Sequence, residues 1–115
     1  MHELGVTFHV IKAVEEVARE NNLTQVSNVI LELGEVSMVI PDQLRDCFKW
    51  AVENRSEHMH GCELTIETIP AVTFCEDCRE EYPTVEHGKI CPFCHSEHTY
   101  LLKGNEFNIK QIEGC

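Results

Sequence analysis

The chain has 115 residues, enough for one ordinary domain or a small domain carrying an inserted module. An apolar content of 43 % excludes a disordered tail, and no apolar run approaches the length of a membrane span. The net charge of −11, from 20 acidic against 9 basic residues, repels phosphate backbones and argues against a nucleic-acid binder.

Residues 4 to 20 read as a helix. Leu4, Phe8, Ile11, Val14 and Ala18 recur at three and four, with Glu15, Glu16, Arg19 and Glu20 as the polar side. Asn21 and Asn22 supply a stop. Residues 26 to 36 read as a strand in which Val29, Leu31 and Leu33 share one face. Ile40-Pro41-Asp42 opens a second helix, with proline near its first turn. Leu44, Cys47, Phe48, Ala51 and Val52 give that helix an apolar face; Arg45, Asp46, Lys49 and Glu53 face water. After Gly61, residues 62 to 69 alternate as a strand closed by Pro70. Residues 71 to 103 hold cysteine pairs and little apolar periodicity. After Gly104-Asn105 comes a last strand, with Phe107, Ile109 and Gln111 on one face. A lone strand is unstable, so this strand is expected to return to the sheet of the first part. The expected fold is α+β: two helices on a small mixed three-stranded sheet, with an inserted zinc-ribbon-like module. The expected domains are 1-70 plus 104-115, and 71-103.

The inserted module carries Cys75-Glu-Asp-Cys78 and, after twelve residues, Cys91-Pro-Phe-Cys94. Two residues between cysteines let a tight turn aim both sulfurs at one ion, and four thiolates close a tetrahedral zinc site with no open position. Such a zinc is structural, and its binding energy becomes folding energy for a module with few large apolar residues. The opening residues lack the pattern of a secretory leader. A cytoplasmic address with reduced thiols is therefore expected, which disfavours disulfides. The competing metal is rubredoxin-like iron, which thiolate cages also hold.

The chain begins Met1-His2-Glu3. The amine of Met1, the amide nitrogen of His2 and the imidazole of His2 can form two fused chelate rings on one ion. Glu3 can add a fourth donor through its amide or carboxylate. A planar nitrogen set of this kind suits nickel(II) or copper(II). His9 lies along the same helix, and His58 and His60 form an alternating pair in the connector after the second helix. Both read as solvated residues before they read as ligands. His87, His95 and His98 lie near the cysteines and read as exposed histidines beside a static site.

Three features occur together and in order: the opening Met1-His2-Glu3-Leu4, a strand ending Leu31-Glu32-Leu33-Gly34-Glu35-Val36-Ser37, and the paired CxxC module. With residues 57 to 67 and the tail from Gly104 to Glu113, they make the whole chain resemble the HypA/HybF family of hydrogenase nickel-insertion accessory proteins. The resemblance implies a nickel metallochaperone with nickel at His2, Glu3 and Met1, and zinc at Cys75, Cys78, Cys91 and Cys94. It implies as partners a nickel-handling GTPase of hydrogenase maturation, the large subunit of [NiFe] hydrogenase and, in some organisms, urease accessory proteins. Gly5 departs from the serine often found in relatives and weakens the first helical turn.

Other function classes fit less well. A zinc-ribbon nucleic-acid module needs a basic face, but residues 71 to 103 hold Arg79, Lys89 and Lys103 against six acids. A rubredoxin-like electron carrier leaves the helix-strand part unexplained, and a zinc-stabilised protein-interaction adaptor is the alternative if the terminus takes no nickel. No nucleophile–base pair or glycine-rich phosphate loop points to an enzyme. Cys47 and Cys62 are expected on core faces.

Overall fold

The computed structural model describes residues 3–115; the Met1 and His2 of the expected nickel site lie outside the described residues. The element order is α1 (Glu3–Glu20), β1 (Val26–Gly34), α2 (Pro41–Asn54), β2 (Glu63–Ile69), β3 (Val72–Cys75), β4 (Glu81–Pro83), α3 (Thr84–His87), β5 (Thr99–Lys103) and β6 (Phe107–Gly114). Two compact units result. The first takes Met1–Glu32, Val39–Glu67 and Asn108–Cys115; the second takes Leu33–Met38 and Thr68–Phe107.

In the first unit, α1 ends at the asparagines in a Schellman motif. Asn22 adopts a left-handed φ of 55°. Its amide bonds to Arg19 O at 3.3 Å, and the Leu23 amide bonds to Ala18 O at 2.9 Å. The last carbonyls of the helix are thereby satisfied without a glycine. α2 starts with proline in its first turn and has no side-chain cap at Ile40, a position where the missing N–H costs nothing. The strands expected from alternation form one sheet in the order β2-β1-β6, so the last strand does lie beside the first. Val26, Val29 and Leu31 are buried along β1. Val6, Val10, Ile11, Val14 and Ala18 of α1 and Leu44, Phe48, Ala51 and Val52 of α2 complete an apolar core. Each of the larger of these side chains contributes about 1.5–3 kcal/mol on burial.

Four expectations shift by a face. Leu4 is 43 % exposed, because the buried stripe of α1 runs through Val6 and Val10 instead. Glu15, expected on the water side, is only 6 % exposed, because backbone amides of the loop after α2 converge on its carboxylate. Gln111 is exposed while Ile112 is half-buried; the inward phase of β6 changes after Ile109, and the Gln111 amide donates to Glu113 on the solvent side. Cys62 is buried as expected, with its thiol pushed up to about 11 chiefly by that burial, but Cys47 sits half-buried at the margin of the α2 face.

In the second unit the stretch with little periodicity folds into a three-stranded antiparallel sheet in the order β4-β3-β5. Thr73 pairs with Tyr82 on one side and Leu101 on the other. Within this unit, Gly34 and Gly104 approach backbone to backbone: a Cβ on Gly34 would run into the Gly104 carbonyl. The Val36 amide donates to that same carbonyl at 2.7 Å. Gly104 itself has φ +119° and lies against Ala71. The glycine of the Leu33-Gly34-Glu35 segment is thus required by a close approach that no side chain could enter. No helix among the described residues is long and apolar enough to cross a membrane.

Candidate metal centre

The two cysteine pairs sit in turns with the same backbone plan. In the first, the Cys75 amide donates to Glu80 O at 3.0 Å and the Arg79 amide to Cys75 O at 2.8 Å. In the second, the Cys91 amide donates to Ser96 O at 3.0 Å and the His95 amide to Cys91 O at 2.9 Å. The residue after the second cysteine has a left-handed φ in both, 60° at Arg79 and 62° at His95. Local chain geometry alone therefore turns Cys75 toward Cys78 and Cys91 toward Cys94. The sheet then sets one turn against the other, since β3 ends at Cys75 and pairs Cys75 with Thr99 of β5.

All four sulfurs lie within 4.8 Å of one another. Cys75 faces Cys94, and Cys78 faces Cys91, each at 3.6 Å between sulfurs. A tetrahedron with Zn–S bonds of about 2.3 Å has edges of about 3.8 Å, so the cage is of zinc-like size. Cys75 and Cys91 are fully buried, Cys78 is half-buried and Cys94 exposed. Burial opposes ionisation of Cys91, but amides of Cys94 and Phe93 and the neighbouring thiols outweigh it and bring that thiol down to about 7. Burial and the facing thiols push Cys78 up to about 12. One thiolate among four sulfurs makes the next harder to form, and a divalent cation at the centre removes that opposition.

Around the cage, Tyr82 is buried with Cys75 and Cys91, and its hydroxyl donates to Gly88 O at 2.9 Å. Thr73 and Thr84 share a hydrogen bond of 2.6 Å. His98 contacts Asp77 at 3.1 Å, and Ser96 also donates to Asp77, which ties the second turn to the first. His87 packs edge-on to Tyr82. These histidines hold the rim of the module, and none joins the sulfur cluster.

Glu3 is the first residue of α1 and is half-buried; its carbonyl accepts the Thr7 hydroxyl at 2.6 Å. It lines an open cavity of about 320 Å³ with Leu4, Gln43, Asp46 and Cys47. His9 is exposed and belongs to no group of ligand side chains among the described residues. His58 and His60 do not converge: His58 turns to Glu15 of α1, and His60 to Glu53 of α2. The burial of Glu15 and its clustering with Glu57 and His58 had no signal in the sequence beyond the polar loop itself.

The fold and the sulfur cluster define a metal-binding α+β protein whose second unit is built round four cysteines. The family model described as "Hydrogenase/urease nickel incorporation, metallochaperone, hypA" matches residues 1–114, and the chain belongs to that family. It is 33 % identical over 112 residues to the hydrogenase maturation factor HypA of Actinobacillus succinogenes, covering 97 % of each chain. It is 33 % identical over 114 residues to the hydrogenase maturation factor HybF of Klebsiella pneumoniae, covering 99 % of each. In structure it is similar to the solution structure of the Ni metallochaperone HypA from Helicobacter pylori. The TM-score is 0.73 at 26 % identity, over 99 % of this chain and 97 % of that one.

Proposed function

We propose that this chain is a cytoplasmic nickel carrier, not an enzyme, that takes part in maturation of [NiFe] hydrogenase and, where one is present, urease. The observation that carries the reading is the family match along residues 1–114, from the first residue on. Nickel is cargo: the Met1 amine, the amide and imidazole nitrogens of His2, and Glu3 hold it in a planar set suited to that ion. The placement of Glu3 at the rim of a cavity shared with Asp46 and Cys47 supports a site open to a partner. Amide and imidazole donors must shed protons to bind, so loading releases protons and weakens as pH falls.

Zinc is the resident ion of the second unit, held by Cys75, Cys78, Cys91 and Cys94. Zinc supplies the cross-link that this unit's small core lacks, and with four protein ligands it has no position for a substrate. The division of labour follows: residues 1-70 with 104-115 handle nickel, while 71-103 form a zinc-held module. The partners are a nickel-handling GTPase, the hydrogenase large subunit and the urease accessory proteins.

The test is a nickel titration of zinc-loaded protein with its native Met1, beside His2→Ala, read by visible spectrum and metal content. The reading expects about one nickel with a planar-type spectrum in the wild type, its loss in the variant, and one zinc in both. Equal nickel binding by both would move the site away from the terminus. Zinc without nickel in both would leave an adaptor.

A further inference from the structure

The loop between α2 and β2 is fastened to α1 by one carboxylate. Glu15 is 6 % exposed. Its Oε2 accepts the amides of Glu57 at 3.3 Å and His58 at 2.9 Å. Its Oε1 stands 2.7 Å from Nδ1 of His58. Met59 beside them is fully buried, which anchors the loop from the other side. The two oxygens of Glu15 therefore have separate tasks: one is held by the backbone, the other is aimed at an imidazole. A metal-ligating carboxylate is oriented by its outer oxygen in this way.

The carboxylate of Glu57 completes a group whose ligand atoms all lie within 4.8 Å of one another. Donor atoms at about 2.1 Å from a common ion sit about 3–3.5 Å apart, so the Glu15–His58 contact opens by only a few tenths of an ångström to admit one. We propose that Glu15, Glu57 and His58 form a second divalent-cation site in the first unit. Two carboxylates and one imidazole take a borderline ion such as nickel(II) or zinc(II), with water filling the remaining positions.

An ionised Glu15 can only accept, so the His58 ring donates to its Oε1 through Nδ1–H. On binding, the ring proton passes through solvent from Nδ1 to Nε2, and the freed Nδ1 lone pair goes to the ion. The cation then neutralises two carboxylates, one of them almost wholly desolvated. Arg19, 3.8 Å from Glu15 Oε1, is the neighbouring positive charge that opposes the ion. Its side chain is 54 % exposed and can swing clear. The site stands independently of the terminal one: His60 and Glu53 pair separately at 3.4 Å, and none of the three ligands belongs to the terminus.

The test uses zinc-loaded protein carrying His2→Ala, so that neither the terminus nor the cysteines compete, with nickel(II) alone as probe. Paramagnetic broadening of the amides of residues 57 and 58 and of the His58 ring is expected to saturate at about one equivalent. Glu57→Gln keeps the backbone donors to Glu15 and so keeps the loop in place; it should weaken binding at least about tenfold, the scale of losing one supporting group. Arg19→Ala should tighten binding. Broadening that spares His58, or equal affinity in the parent and Glu57→Gln, overturns the proposal whatever becomes of the terminal site.

Discussion

The two units solve the same problem with different materials. The first buries valines, leucines and a phenylalanine from two helices and a sheet. The core of the second is Tyr82 with Cys75 and Cys91, against which Cys78 packs. Several of its larger apolar side chains face outward: Val85 is 62 % exposed, Phe93 62 % and Ile90 52 %. Hydrocarbon burial is distributed over many contacts and survives the loss of any one. A sulfur cage concentrates the stabilisation at a single ion. The difference teaches where each unit is vulnerable, and it can be broken from either side.

The largest effect is expected in the second unit. Removing the metal with a chelator, or replacing Cys91 by serine, should collapse amide dispersion for residues 72–103 while α1 and α2 keep their helical signal. Structural zinc supplies on the order of 10 kcal/mol of apparent folding energy. Retention of native dispersion in residues 72–103 after metal removal would break the comparison.

A smaller effect comes from the first unit. Leu31→Ala, at a fully buried position, should cost about 3 kcal/mol in denaturant unfolding and leave the zinc content at one per chain. Loss of zinc in that variant would show that the apolar core, and not the cage, holds the second unit.

The smallest effect depends on pH. Glu15 is desolvated, yet hydrogen bonds from the His58 ring and the loop amides outweigh burial and hold its carboxyl below the usual range. A depressed folded-state value contributes stability that is present above the unfolded value and lost as pH falls through the folded one. Glu15→Gln should therefore cost about 1–2 kcal/mol at neutral pH and little at pH values below the carboxylate range. A constant cost across that range would mean that the charge on Glu15 is immaterial to the loop.

The sequence by itself determined whatever depends on near neighbours. Two residues between cysteines fix the sulfur-aiming turn, and the same backbone bonds recur at both pairs because that geometry is local. Helix and strand periods located α1, β1, α2 and β2 to within about two residues, and Asn22 could be read as a stop because it tolerates a left-handed φ. Tertiary structure decided which face each element buries and what each loop touches. The period of α1 permitted stripes through Leu4 or through Val6, and packing chose the latter. Glu15 looked like a solvated charge until amides forty-two and forty-three residues away satisfied it. The strands of the second unit carried no periodic signal, since a core of cysteine and tyrosine needs none. Gly34 shows why such features escape a reading along the chain: its missing side chain is required by Gly104, a neighbour in space that only the folded chain supplies.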